Sequence, residues 1–523
     1  MHRADSDDGT RLRNAHANGR TSRQRRPLRG RAGHPSFLKI PMSLSRISIT
    51  VFGALALAAC TSDRIDPVNP LAVSPSHSVS TAASARYLVL AKGSGFSADF
   101  GARVAALGGT VEQLHKGAGI AVLSNLSPSA VSQVAGFSDV GDLEADVDIA
   151  LDAPIAATES AVATDSLNSV SNPAVAARYA WQWNMRLINA NAAWAAGKLG
   201  DAGVTVAILD TGIDYDAPDL NGLVDLSRST SFVPSDDALA ALYFPTRNKV
   251  SDFNRHGTNT ATQVSSKAFA LAGVTSRTTL IAVKVLGASG SGALSGVLNG
   301  VLWAADHGAD VANMSLGSSF AKAGNGRFLA LINRTFNYAA SKGMLIVVSA
   351  GNAGADLDHD GNVENTYCNV PQVICVSAVG PALATDTPSM VAAYSNFGRS
   401  AISVAAPGGN ADLVNFTVSS WPWGADIASW VWSYCSKTYI SALTGSTPTL
   451  PCSAGNRLTG EVGTSQASPH VAGLAALLVA EQGHGRPAQI KAAILNSAVD
   501  LGAPGVDPNY GRGLIDVANA LGL

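Results

Sequence analysis

The run Gly463-Thr464-Ser465-Gln466-Ala467-Ser468-Pro469-His470-Val471-Ala472-Gly473 decides how this chain of 523 residues is read. Gly463 permits a tight backbone approach just ahead of a serine. Beyond Ser465, the residues Val471, Leu474, Leu477 and Leu478 recur at helical spacing, which predicts a buried helix. Pro469 donates no N–H and is best tolerated near a helix start, so Ser465 is expected at or close to the N-terminus. Unpaired backbone N–H groups and the positive end of the helix dipole favour an anion developing there on a bound carbonyl. Most serines so placed are simple caps. The remainder of the chain supplies what sets this one apart.

Val206-Ala207-Ile208-Leu209-Asp210-Thr211-Gly212-Ile213-Asp214 is an apolar run ending in a carboxylate and a glycine turn. It reads as a buried parallel strand that delivers Asp210 at its C-terminal edge, where open α/β sheets place their sites. Asp214 reads as a turn residue. His256-Gly257-Thr258 follows, and then Ser349-Ala350-Gly351-Asn352-Ala353-Gly354 behind the apolar run Met344 to Val348. A carboxylate, an imidazole, an amide donor and a serine are the parts of an activated nucleophile with an oxyanion site.

From roughly Trp181 to the C-terminus the chain resembles the subtilisin-like serine proteases, or subtilases, whose motifs come in this order. The resemblance implies an α/β fold with a doubly wound, mostly parallel sheet in a catalytic domain spanning 178–523, preceded by a small α+β prosegment domain. It implies a serine endopeptidase acting on protein or peptide substrates, with no cofactor required for the chemistry. Asp210 would orient the base His256, Ser465 would be the nucleophile, and Asn352 with the Ser465 N–H would form the oxyanion hole. Ser289, Gly290, Ser291 and Gly292, together with Ser315, Leu316 and Gly317, resemble the segments that pair with extended substrate, with Ala350 and Gly351 beside them. An extended peptide would use its backbone bonds to lie between two exposed edges; ordinary loops are the other reading. Leu280 to Leu286 reads as a strand and Leu294 to His307 as a covering helix. Trp181 to Trp194 resembles the family's opening helix, and Tyr394 to Gly398 and Val404 to Gly408 are further landmarks.

The chain departs from the family pattern at several points. Arg255 stands where glycine usually precedes the histidine, and Asn259-Thr260-Ala261 replaces the usual His-Val-Ala. Gln466 follows the serine where methionine is common, which removes an oxidation-prone thioether. His307 and His470 read as packing residues. A catalytically inactive, lipid-anchored binding protein on the same fold is the alternative, resting on the altered residues around His256. Asp356, Asp358 and Asp360 alternate before Gly361 like the start of a calcium loop, but the twelfth position is Tyr367, not Glu. A structural calcium and a solvated acidic turn are the two readings.

Charged residues make up only 14% of the chain and the net charge is −2, so nothing points to nucleic acid as a partner. The arginine-rich stretch 1–41 has two readings: a basic arm able to meet nucleic acid or a membrane surface, or, favoured because an export signal opens at Met42, an extension that is not translated in the natural product. Residues 42–60 read as an export signal: Arg46 is its positive end, Ile47 to Ala56 its apolar core. That core is too short to span a membrane. Its end, Leu57-Ala58-Ala59-Cys60, resembles the bacterial lipobox, which implies lipidation of Cys60 and, with Thr61 following, an outer-membrane lipoprotein precursor. An ordinary signal cleaved near Ala59 and a periplasmic or extracellular product is the other reading. Export leaves Cys368, Cys375, Cys435 and Cys452, an even number, with local pairing expected as Cys368–Cys375 and Cys435–Cys452.

Residues 61–84 read as a linker, 85–151 as the prosegment and 152–177 as a second linker holding a processing site. Within 85–151, strands are predicted at Arg86–Leu90, Gly119–Leu123 and Val147–Leu151, and helices at Ala102–Leu107 and Ser127–Val134, the second opened by Ser127 as cap and Pro128 in the first turn. The module resembles the inhibitory prosegment of subtilases, whose end lies in the active site as a first substrate. Self-cleavage is therefore expected within Asp152–Ser160. A tryptophan-rich stretch, Trp421, Trp423, Trp430 and Trp432, stands to shape the cleft or to cover the disulfide region.

Overall fold

Thr205–Asp210 alternates with period two: Val206 and Ile208 join one apolar layer, Ala207 and Leu209 the other. Thr279–Lys284 does the same, with Leu280 and Ala282 on the first side and Ile281 and Val283 on the second. Strands buried on both faces need helices above and below. The computed structural model describes residues 86–523 apart from 94, 152–156, 162–168, 318, 324–325, 366, 382–389, 411–428 and 445–446. Cys60, the export signal, the stretch 1–84, residues 152–156 of the processing window and Trp421 and Trp423 therefore lie outside the described residues.

The sheet runs Met390–Val391, Val373–Gly380, Leu345–Ser349, Val311–Met314, Thr205–Asp210, Thr279–Lys284 and Thr230–Ser231, and Val404–Pro407 also pairs with Val373–Gly380. Only Met390–Val391 is antiparallel among these pairings. From Thr205–Asp210 the chain builds first to one side, through Thr230–Ser231 and Thr279–Lys284, and then to the other. Asp210 thus ends the strand at which the winding reverses, the crevice position of doubly wound sheets. Helices His256–Val264 and Thr464–Gln482 cover one face; Leu294–Asp306 and Gly326–Ser341 cover the other. The fold class expected from sequence is the one found.

Trp181 to Trp194 is not one helix. Trp183–Leu187 and Ala190–Ala195 are separated at Asn189, whose φ of 54° is left-handed and breaks the helical ladder.

Residues 86–150 form a four-stranded antiparallel sheet ordered Thr110–His115, Ile120–Ser124, Arg86–Ala91, Val140–Ala145, with helices Phe100–Ala106 and Pro128–Ala135. Val89, Phe100, Val104, Leu123 and Val134 fill its core. Ser127 Oγ accepts from the Ala130 N–H at 3.2 Å, the expected cap. Two strands were not foreseen, Thr110–His115 and Val140–Ala145. Both are sheet edges, mostly half-exposed, with polar residues interrupting any apolar run, so they lack an apolar signature. The expected last strand leaves this sheet: Asp148–Ala150 pairs antiparallel with Ser291–Ala293.

The module also caps a helix of the larger domain. Leu294 N–H donates to Val147 O at 2.8 Å, and Ser295 N–H donates to Asp146 Oδ1 at 3.0 Å. These are first-turn donors that no residue of their own helix can satisfy. Arg327 reaches Asp142 and Glu144 at 3.3 and 2.6 Å nearby. Asp146→Ala is expected to cost about 1–2 kcal/mol and to speed amide hydrogen exchange at Ser295. Exchange there equal to that of the native chain would contradict the cap.

Candidate active site

Pro469 lies inside helix Thr464–Gln482, not at its first turn, and the consequence falls on Ser465. Without an N–H, Pro469 leaves the carbonyl four residues earlier without its helical donor. That carbonyl belongs to Ser465, and Ser315 Oγ donates to it at 2.8 Å. Ser465 Oγ in turn donates to Ser315 O at 3.3 Å. The serine helix is thereby fastened to the end of strand Val311–Met314. Ser465 is its second residue, so its own N–H has no intrahelical acceptor.

Asp210 is fully buried. Its Oδ1 accepts from Thr211 N–H at 2.7 Å and from His256 Nδ1 at 2.8 Å, and its Oδ2 takes Thr260 Oγ1 at 3.3 Å. Thr260, one of the departures from the family pattern, is thus a partner of the carboxylate. His256 opens its helix, which abuts the Asp210 turn closely: a Cβ on Gly257 would sit 2.0 Å from Gly212 O. Thr258 Oγ1 donates to Asp252 Oδ2 at 2.6 Å and accepts from Asp214 N–H at 3.0 Å. His-Gly-Thr is therefore a fixed contact unit. Asp214 is not a mere turn residue, because it is buried and pairs with Arg247. Sequence reading missed Asp252, which is fully buried and also accepts from Thr211 Oγ1 and from the N–H groups of Asn254 and Arg255.

Burial opposes a charge on His256, but Asp210, followed by Glu461 and Asp252, outweighs it and holds the imidazole pKa up at about 9. His470 is the reverse case. Its Nδ1–H goes to Gln466 O at 2.8 Å, Asn184 Nδ2 meets its Nε2 at 2.8 Å, and burial pushes its pKa down to about 4. It packs, as expected, while His307 stacks on Trp303.

Asn352 Oδ1 accepts from Thr464 N–H at 2.8 Å and from Thr464 Oγ1 at 2.9 Å. Those two donors fix the amide so that Nδ2 is the free end. Nδ2 is buried and has no partner, and the same holds for His256 Nε2. Asn352 Nδ2 lies beside Gly463, two residues before Ser465. Gly351 N–H bonds Thr464 Oγ1 at 3.0 Å, and Ala350 O accepts from Asn396 Nδ2 at 2.9 Å, so this loop is tied to the serine helix.

Residues 148–151 run between the two expected edges. Ser291, Gly292 and Ala293 pair with Ala150, Ile149 and Asp148; Ala150 bridges Gly317 on the other side; and Leu151 N–H donates to Gly290 O at 2.8 Å. Ile149 and Leu151 join the cluster of Leu286, Leu294 and Leu316. Ser289 and Ser291 bond each other through their hydroxyls at 2.6 Å.

Both expected disulfides are present, Cys368–Cys375 and Cys435–Cys452, with Cα separations of 5.0 and 5.9 Å. The described part of the tryptophan-rich stretch lies under the histidine helix. Asn259 and Gln263 donate to the carbonyls of Val431 and Trp432 at 3.5 and 2.8 Å. Of the two readings of the acidic run, the contacts seen are those of a hydrogen-bonded turn. Asp356 meets His359 at 2.8 Å, Asp358 accepts from Ser400 Oγ at 2.6 Å, and Asp360 pairs with Lys322 at 2.5 Å. Each carboxylate already has its own donor, and no cluster of metal-ligating side chains occurs among the described residues.

Residues 201–513 match the subtilase family. The chain belongs to the subtilase family. It is a serine endopeptidase by that membership. It is 33% identical over 324 residues to a thermophilic serine proteinase of Bacillus sp. (strain AK1), covering 61% of this chain and 62% of the relative's length. It is 32% identical over 341 residues to Subtilisin Savinase of Lederbergia lenta, covering 65% of this chain and 97% of that protein. The epidermin leader peptide processing serine protease of Staphylococcus aureus superposes with a TM-score of 0.65 at 22% identity, over 84% of this chain and 98% of that one, and shows the same fold.

A base must be neutral to accept a proton, so a function that relies on His256 is lost as pH falls through its raised pKa. NMR titration of the His256 imidazole is expected to give a midpoint above the ordinary 6.5, towards about 9, and Asp210→Asn is expected to lower it. A native midpoint at or below 6.5 would contradict this electrostatic reading.

Proposed function

We propose that the chain is the precursor of an exported serine endopeptidase that cuts itself free of its N-terminal module. In the reaction, Ser465 Oγ bonds to the carbonyl carbon of a peptide while His256 Nε2 takes its proton. Asp210 holds the imidazole tautomer through Nδ1 and stabilises the imidazolium. The oxyanion receives the Asn352 Nδ2–H and the Ser465 N–H. The C–N bond breaks as His256 returns the proton to the leaving nitrogen. Water then attacks the acyl-enzyme with His256 again as base.

The observation that carries the reading is the pair of buried unpartnered atoms, His256 Nε2 and Asn352 Nδ2, in a chain whose Ser465 stands at a helix start two residues past the Gly463 that borders Asn352. Buried polar atoms are left open at a cost, which a reacting substrate would offset. Asn352→Ala is expected to lower kcat by roughly 100–1,000-fold with little change in KM. Near-normal kcat would remove Asn352 from the oxyanion site.

Residues 85–151 act as an inhibitory prosegment in this reading, and support comes from the substrate-like run 148–151. Ala150 stands opposite Gly317, on the edge that leads to Ser315, the residue bonded to Ser465. Self-cleavage in this reading falls within Asp152–Ser160, just past that run. With Cys60 lipidated, the anchor would stay on the discarded side and the catalytic domain would be released. N-terminal sequencing of the matured protein is expected to begin within Ala153–Ser160, with no cut there in Ser465→Ala. A soluble form beginning upstream of Tyr87, or equal processing in both proteins, would contradict self-release.

A further inference from the structure

Two of the residues that depart from the family pattern, Arg255 and Gln466, meet on one side chain. Glu461 ends strand Arg457–Glu461, four residues before Ser465, and is fully buried. Its Oε1 accepts from Arg255 Nε at 3.1 Å and its Oε2 from Gln466 Nε2 at 3.0 Å. Arg255 immediately precedes His256, and Gln466 immediately follows Ser465. Burial pushes the Glu461 carboxyl up, and the His256 and Arg255 charges act against that shift, while Arg255 and Gln466 give each oxygen one donor.

Each partner is constrained in turn. Arg255 has φ 90°, a left-handed conformation that strains any residue with a Cβ. Its N–H bonds Asp252 Oδ1 at 2.8 Å, and its guanidinium lies 4.8 Å from the centre of the Tyr439 ring. Glu461 only accepts hydrogen bonds when ionised, so it must face the NH2 of Gln466 and turn the amide oxygen away. That oxygen is buried, has no partner, and borders Gly463 together with Asn352 Nδ2.

We propose, building on the hydrolytic reading above, that Glu461 is a positioning residue: one buried carboxylate ties the residue before the base to the residue after the nucleophile and sets its charge beside the imidazolium. The charged groups facing His256 are Asp210 at the end of strand Thr205–Asp210, Asp252 in the loop before the histidine helix, and Glu461. Arg255 and Asp252 face Glu461 in addition to His256. Asp210 is the direct partner, and Asp252 is occupied by N–H and hydroxyl donors. Glu461 is the carboxylate of the three whose charge can be removed while the Asp210–His256 bond and the His-Gly-Thr contacts stay in place.

The test is the pH dependence of kcat and KM, per titrated active site, in the matured wild type, Glu461→Gln and Glu461→Asp. Glu461→Gln is expected to move the acid limb of kcat/KM down by about 0.5–1 pH unit, to lower plateau kcat several-fold, and to keep KM within about twofold. Glu461→Asp keeps the charge and is expected to keep the limb. A limb unmoved in Glu461→Gln, with kcat per site unchanged, would overturn the proposal. If Glu461→Gln does not accumulate as folded protein, Gln466→Leu decides: it severs one arm, and plateau kcat is expected to fall with the limb in place, whereas unchanged kcat overturns the tie. A wild type with no titratable nucleophile would instead remove the hydrolytic reading, which keeps the two failures distinct.

Discussion

A carboxylate held out of water at the end of the central strand sets the terms for the rest of the site. Asp210 sits where the winding of the sheet reverses, and it must be matched by donors because nothing else there solvates it. Thr211 N–H, Thr260 Oγ1 and His256 Nδ1 supply them. Meeting that need fixes the histidine helix against the Gly212 turn, leaves Nε2 buried without a partner, and raises the affinity of the imidazole for a proton. The serine helix is tied in by a separate device. Pro469 frees the Ser465 carbonyl, and Ser315 takes it. Ser315 also belongs to the edge beside which residues 148–151 lie, so the nucleophile and the peptide-binding edge share one anchor.

The same economy appears on the N-terminal side. Asp146 satisfies the first turn of helix Leu294–Asp306, and the residues just after it enter the sheet edge at Ser291–Ala293. Docking of the module and insertion of its tail are consecutive parts of one stretch of backbone. Release of the tail would therefore also uncap a helix of the larger domain.

Much of this was legible in the sequence because the signals are local. Val206 to Leu209 is apolar on both faces and stops at Asp210; Val471, Leu474 and Leu478 mark the helix behind Ser465; the cysteines pair with near neighbours along the chain. What escaped is made through space. Asp252 gains its role from Thr211 and Thr258, and nothing in its own neighbourhood announces that. Glu461 stands in Arg457-Leu-Thr-Gly-Glu461, which reads like an ordinary half-polar strand; its partners Arg255 and Gln466 are brought to it only by the fold. The partners of the acidic run Asp356–Asp360 were hidden for the same reason. Alternating carboxylates suggested a cage, yet His359, Ser400 and Lys322 had already taken them, two of these far along the chain. The edge strands Thr110–His115 and Val140–Ala145 were invisible because an edge needs little apolar surface.

The most direct test of the account is covalent labelling with a fluorophosphonate, mapped by peptide mass spectrometry, in the matured protein and in His256→Ala. A fluorophosphonate reacts with a serine whose hydroxyl is activated by a base and whose adduct is held by an oxyanion site. The account predicts a single label on Ser465 in the wild type and loss of labelling in folded His256→Ala. Label on another residue, none at all on folded wild type, or equal labelling without His256 would contradict it.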